Sequence, residues 1–380
     1  MQFKDIIGHK RLIEQLLRNI KEGRVSHALL FNGPDGAGKL PLALAFTQYL
    51  MCENKSDTDS CGTCPSCIKN QKLVHPDVHF SFPFLKVNDK SSCNDTVNLF
   101  RESVLENSFM SLNDWNNIIE AEKKQTLITV TESNEIIHKL NLKSFESPYK
   151  VSFIWNVDKL KPNASTKLLK IIEEPPANTF FILIANSIES LLPTLVSRTQ
   201  IISVNQLSKT DISNALIEKR GASENKAKTI SQLSNGNYRT AIELLEDEEN
   251  EDYVESFLEW MRLCFKASSE TDKLLDWVDQ IAAMNRENQK AFINVVLEVL
   301  RECLLISVSG QNLLSIREED KEKLVAFAKF IHENNAERII SELNKAYSHI
   351  ERNAHPKILF LDLSMKIHQH LHTKREELAI

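Results

Sequence analysis

Residues Gly33-Pro34-Asp35-Gly36-Ala37-Gly38-Lys39 fit the spacing G-x-x-x-x-G-K, with which a loop between a strand and a helix wraps phosphates. Glycines let backbone amides curl around an anion at the positive end of a helix, and Lys39 can reach the outer phosphates. The next residue is Leu40, where magnesium-assisted chemistry on a triphosphate uses a Ser or Thr hydroxyl. The facing strand should end in carboxylates that hold the ion. The candidate, Val151-Ser152-Phe153-Ile154, runs instead into Trp155-Asn156, and Asp158 two residues on reads as a helix cap or a surface group. Both losses fall on one metal position, so hydrolysis at this loop is not expected. Whether the loop still holds a nucleotide stays open.

Seven cysteines occur, and four of them, Cys52, Cys61, Cys64 and Cys67, follow the pattern C-x8-C-x2-C-x2-C. In a reducing compartment such a cluster points to a metal, not to disulfides. Four thiolates suit tetrahedral zinc, and a shell closed by four protein ligands is structural. Gly62-Thr63 and Pro65-Ser66 leave short loops to wrap the ion. His75 and His79 could compete as ligands, but the thiolates already complete the shell. Cys93 stands alone, and Cys264 and Cys303 read as small apolar residues on helices.

These groups need a frame, and the first two hundred residues supply an α/β pattern. Strand-like segments at 28–32, 77–84, 151–156, 180–185 and 200–204 alternate with helical stretches, as in a parallel sheet covered on both faces. The interval 86–149 is long and polar, with helices expected around 95–106 and 132–140 and no chemistry assigned. Ser208 and Asp211 resemble a capping box that opens a small helical module reaching to about Leu245. The acidic stretch 246–255 reads as a solvated hinge or helix start. Beyond it Phe292, Val295, Val296, Val299 and Leu300 recur at helical spacing, which predicts a helical bundle.

With 380 residues, 42% hydrophobic and 26% charged, the chain has the make-up of a soluble protein of two or three domains. A net charge of −6 offers no global basic field to nucleic acid, so any such contact is local or supplied by partners. The start Met1-Gln2-Phe3-Lys4-Asp5 shows no basic and apolar leader, and no run approaches a membrane span. A cytoplasmic location without membrane contact is expected.

Two further segments gain meaning together. In Asn163–Pro176, Leu168, Leu169 and Ile172 make one apolar face and the proline pair stops the helix. In Leu191–Thr199, Arg198 sits on a short helix before the last strand, where alone it reads as half of a surface ion pair. With Ser26-His27-Ala28-Leu29-Leu30-Phe31, the phosphate loop and the four-cysteine insert, these segments resemble the clamp-loader branch of the AAA+ ATPases. Leu168-Leu169-Lys170-Ile171-Ile172-Glu173-Glu174-Pro175-Pro176 and Ser197-Arg198-Thr199, the latter with Thr where that family has Cys, carry most of the likeness. Glu351-Arg352-Asn353-Ala354-His355-Pro356-Lys357 resembles the family's collar helix.

The resemblance implies an AAA+ P-loop domain with a parallel sheet and a zinc module over 1–206, a helical lid over 207–246 and a helical collar over 247–380. It implies a ring that opens a sliding clamp and places it on primer-template DNA, with gamma/tau and delta subunits as partners in a DNA polymerase III holoenzyme. Arg198 is then an arginine finger acting in trans on ATP held by a neighbour. Gly33, Gly36, Gly38 and Lys39 form a degenerate nucleotide site, Asn186 takes a sensor-1-like place and Arg239 a sensor-2-like place. The alternatives are an active gamma/tau-type ATPase, against which Leu40, Trp155-Asn156 and the lack of a long C-terminal extension argue, and a nucleotide kinase. The kinase leaves Glu173-Glu174-Pro175-Pro176 and Ser197-Arg198 unexplained.

Overall fold

The computed structural model describes residues 1–86, 91–121, 124–246, 253–309 and 318–373. The chain divides into two units, residues 1–232 with 236–239, and residues 233–235 with 240–380.

The first unit is built on five parallel strands: β1 (Ala28–Asn32), β2 (Val78–Ser81), β3 (Lys150–Ile154), β4 (Thr179–Ala185) and β5 (Gln200–Ser203), in the spatial order β2-β3-β4-β1-β5. Its helices are α1 (Lys10–Lys21), α2 (Lys39–Met51), α3 (Pro65–Gln71), α4 (Val97–Glu106), α5 (Leu112–Ile118), α6 (Val130–Asn141), α7 (Pro162–Glu173), α8 (Pro193–Val196), α9 (Lys209–Arg220) and α10 (Glu224–Leu233). The next helix, α11 (Tyr238–Glu246), begins in this unit.

Side chains alternate across a strand, and the sheet buries both faces. Leu29, Phe31, Phe153, Ile182 and Ile184 join α2 residues Leu42 and Phe46 and α4 residues Phe100 and Val104 in one core. Ala28, Leu30, Phe181, Leu183 and Ala185 meet Ile136, Leu140, Leu168 and Ile172 of α6 and α7 in the other. Lys150, buried at the start of β3, donates its ammonium to the carbonyls of Leu140 and Leu142 at the end of α6. A cation there satisfies orphan carbonyls and meets the negative end of the helix dipole.

The register decides what meets what. Asn32 pairs with Ala185, and Ile154 with Leu183. The turns leaving β1, β4 and β3 therefore emerge side by side at the carboxyl edge of the sheet, where α/β folds place ligands.

Several expectations change. The strand expected over 77–84 is confined to Val78–Ser81. Asp77 is spent on accepting the amides of Phe145, Glu146 and Ser147 at 2.5, 3.0 and 2.9 Å, and Phe82 N–H turns to the Cys93 sulfur at 3.3 Å. At α9 only half of a capping box forms: the Ser208 hydroxyl accepts from Asp211 N–H at 3.0 Å and donates back to the Asp211 carboxylate at 2.6 Å.

The second unit contains α12 (Tyr253–Phe265), α13 (Thr271–Ala283), α14 (Arg286–Ser309), α15 (Glu318–Ala328), α16 (Glu333–Glu351) and α17 (Pro356–Leu371). Trp260 stacks on Trp277 with ring centres 4.9 Å apart, and Phe292 and Phe360 close the cluster. The Trp260 indole donates to Ser364 Oγ at 2.8 Å, which gives the buried N–H the partner it needs. Phe292, Val295, Val296, Val299, Leu300, Cys264 and Cys303 are all buried. Of the segment 351–357, Glu351 ends α16 and Pro356-Lys357 open α17, with a turn over 352–355 between them and Asn353 at φ +64°. Most of the acidic stretch 246–255 lies outside the described residues. Among the described residues no helix is long and apolar enough to cross a membrane.

Candidate functional site

The phosphate loop joins β1 to α2 and takes its shape from its glycines. Gly36 and Gly38 hold φ of +70° and +86°, the left-handed region that side chains disfavour. Gly33 packs so tightly on the end of β5 that a Cβ would lie 1.9 Å from the Val204 carbonyl oxygen. Lys39 opens α2, yet its ammonium turns back and donates to the carbonyls of Gly33 and Pro34, both at 2.6 Å. Leu40 is buried in the core, so an apolar contact stands where a metal-binding hydroxyl is expected.

Gly36, Gly38, Lys39, Leu40 and Asn186 line one cavity of about 20 Å³ with Trp155 and Asn156. Asn156 sits at φ +52°, is buried, and its Nδ2 has no hydrogen-bond partner. Asp158 is neither cap nor surface group. It lies within a short 3-10 turn, its side chain is 8% exposed, it pairs with Lys159 at 3.4 Å, and its field bears on Lys39.

The chain supplies the rest of that cavity from an unexpected place. Ser108, Phe109 and Met110 line it from the interval between β2 and β3. Arg239, at the start of α11, makes a two-pronged pair with Asp114 of α5, Nε to Oδ2 at 2.7 Å and Nη2 to Oδ1 at 2.9 Å. Arg198 stands apart, just after α8. Its Nε donates to Glu173 Oε2 at 2.8 Å, its Nη1 to the Thr194 carbonyl at 2.9 Å, and its side chain remains 32% exposed.

Cys52 at the end of α2, Cys61 in the loop, and Cys64 and Cys67 at the start of α3 bring their sulfurs within 4.8 Å of one another. Cys52 and Cys61 sulfurs are 3.6 Å apart, and Cys61 and Cys67 sulfurs 3.9 Å. A tetrahedral ion with Zn–S bonds of about 2.3 Å sets sulfurs about 3.8 Å apart, so the cluster fits zinc. Amides of Cys61, Cys64 and Cys67 each point at a preceding cysteine sulfur at 3.3 to 3.4 Å. Backbone donors from Thr63 and Cys64 pull Cys61 down to about 6, whereas burial pushes Cys52 and Cys67 up. Four sulfurs so close together can all be thiolates only with a cation between them.

Residues 8–208 match the family described as DNA polymerase III, delta subunit. The chain belongs to that family. It is a clamp-loader AAA+ subunit, and its relatives carry more than one subunit name. The delta' subunit of Bacillus subtilis is 25% identical over 307 residues, covering 80% of this chain and 79% of that protein. The gamma subunit of Buchnera aphidicola from Schizaphis graminum is 29% identical over 249 residues, 64% of this chain and 57% of that protein. A gamma subunit-related structure from Thermotoga maritima superposes with a TM-score of 0.42 at 16% identity, over 95% of this chain and 100% of that one. The chain thus spans little more than half the length of the gamma relative.

In this delta-subunit family member Lys39 is a buried base held against carbonyls. Burial lowers it from 10.5 to about 8, against the opposing fields of Asp35 and Asp158. Between those values the unfolded chain binds more protons than the folded one, so Lys39's contribution to stability rises with pH across that window. The full rise is on the order of 3 kcal/mol. Urea unfolding across the window should show it in the native sequence and a flatter profile in Lys39→Met. Parallel profiles would place the titration elsewhere.

Proposed function

We propose that the chain is a delta-prime-type subunit of the DNA polymerase III clamp loader, a ring component that does not itself turn over ATP. In this reading Arg198 acts in trans on ATP bound by a neighbouring gamma/tau subunit, while the ring with its delta subunit loads a sliding clamp onto primed DNA in the cytoplasm. One observation carries it: buried Leu40 stands where the metal-binding hydroxyl is expected, and Trp155-Asn156 stand where the strand-end carboxylates are expected. Asn186 and Arg239 keep the sensor-like places, and 1–206, 207–246 and 247–380 act as P-loop, lid and collar domains. The four cysteines hold a structural zinc.

A second reading, an active gamma/tau-type ATPase, draws support from the gamma relative at 29% identity. Turnover by the purified chain separates the two. Negligible ATPase alone is expected, together with co-purification with loader subunits. Robust hydrolysis abolished by Lys39→Ala would establish the second reading.

A further inference from the structure

We propose that this chain closes its own nucleotide site with a plug from the interval between β2 and β3: Ser108-Phe109-Met110 fill the mouth of the phosphate loop, and Asp114 occupies the arginine of the lid. The ligand kept out is a nucleoside triphosphate. The proposal rests on the reading above only in treating the loop as an ATP site that no longer works. It adds the physical cause of the closure and gives the interval a role.

Space comes first. The cavity that remains beside Gly36, Gly38 and Lys39 measures about 20 Å³. That is room for a water, which needs about 10–15 Å³, whereas sites for drug-sized ligands run to about 300–1,000 Å³. The filler is identifiable. The Phe109 ring edge lies 3.4 Å from where a Cβ on Gly38 would stand, so the ring rests on the loop's own backbone. Its other side meets the Tyr238 ring, centre to centre at 4.8 Å. Tyr238 N–H in turn donates to the Gly36 carbonyl at 3.1 Å, and the Asn237 side-chain Oδ1 lies where a Cβ on Gly36 would stand.

Charge is satisfied as completely as space. A triphosphate site draws on a loop lysine and a lid arginine. Here Lys39 spends its ammonium on two loop carbonyls. Arg239 gives its fork to the two Asp114 oxygens, the bidentate geometry with which a guanidinium also takes phosphate. Asp114 is itself fixed, because the same carboxylate caps α5 by accepting from Ser111 N–H and Oγ at 2.8 and 2.9 Å.

The plug is also anchored to the sheet. Trp115, next to Asp114, is fully buried and its indole donates to the Pro83 carbonyl at 2.7 Å. It meets Phe82 and Phe100 edge-on at 5.3 and 5.5 Å, and those two rings stack at 4.0 Å. An anchor of this kind holds the turn at 108–110 in place. Phe109 and Asp114 themselves are only half-buried, so both can be changed without opening the core.

The test uses the full zinc-loaded chain, ATP with magnesium in calorimetry, and a fluorescent ATP analogue in anisotropy. The native sequence should give no saturable binding up to about 1 mM. Phe109→Ala combined with Asp114→Asn should tighten binding at least tenfold, and adding Lys39→Ala should abolish the gain. Ser111 remains the N-cap of α5, and an Asn side chain at 114 keeps an oxygen to accept from Ser111 N–H, so the second change leaves α5 supported. Saturable binding by the native chain overturns the plug but not the non-hydrolysing reading, which only turnover overturns. A folded double variant that still binds nothing also overturns the plug and leaves that reading standing. Hydrogen exchange on the native chain is a second measure that needs no variant. Residues 108–115 should exchange slowly and be unchanged by ATP, and free exchange there overturns the anchored plug.

Discussion

An assembled loader carrying Arg198→Ala should keep its ring and lose about three orders of magnitude of its DNA- and clamp-stimulated ATPase, the scale on which arginine fingers act. About 10³-fold corresponds to about 4 kcal/mol of transition-state stabilisation. The same substitution should barely move the fold. Arg198 is partly exposed and pairs with Glu173 across a surface contact, and such pairs contribute about 0–1 kcal/mol. The two scales separate a catalytic role from a structural one. Arg198→Lys should recover little, because an ammonium lacks the planar fork that matches phosphate oxygens. Glu173→Gln should leave turnover within a few-fold of the native complex, since it frees the guanidinium without removing it. Unchanged turnover in the alanine variant, with the ring intact, would remove the finger role.

Most of the sheet was legible because its central strands are apolar runs closed by Gly or Asn; only β2 was cut back from its expected length by bonds to distant residues. Phe180–Ala185 and Ala28–Asn32 are buried on both faces and could hardly be anything else. The glycines of the phosphate loop are equally local in meaning, since Gly36 and Gly38 need φ values that only glycine takes easily. Legibility ended where contacts span the chain. Asp114 and Arg239 are 125 residues apart and meet only in the fold. Helix α5 is short, asparagine-rich and held by one tryptophan, so periodicity could not announce it. Its start did carry a signal, Ser111-x-x-Asp114, which forms a full capping box. Asp158 was misjudged for a related reason: its charge acts on Lys39 through space, and neighbouring residues say nothing of that.

Removing zinc should have the largest effect on stability. Protein prepared without chelators should contain about one ion per chain in four-sulfur coordination. Stripping it, or replacing Cys64 with Ser, should lower the melting temperature by roughly 5–15 °C, taking a local loss of about 2–4 kcal/mol at the usual response of domains this size. The loss is held below the about 10–16 kcal/mol of zinc-finger peptides because this unit has two apolar cores of its own. It is not smaller because the cysteine loop also ties down the N-terminus. Gln2 Nε2 donates to the Ser60 carbonyl at 2.6 Å, the Phe3 and Lys4 amides donate to Asp59 at 3.0 Å each, and Gln48 of α2, which accepts from the Met1 amine at 2.8 Å, donates to Ser60 Oγ at 2.9 Å. Losing the ion should therefore raise hydrogen exchange in residues 1–5 and 52–67 together, well before β1 or β4 opens. Acid should mimic the chelator, because protons compete with the metal for each thiolate and occupancy falls as pH drops. A chain that holds no zinc and melts unchanged after Cys64→Ser would make the four sulfurs a packing cluster and leave the N-terminus held by its hydrogen bonds alone.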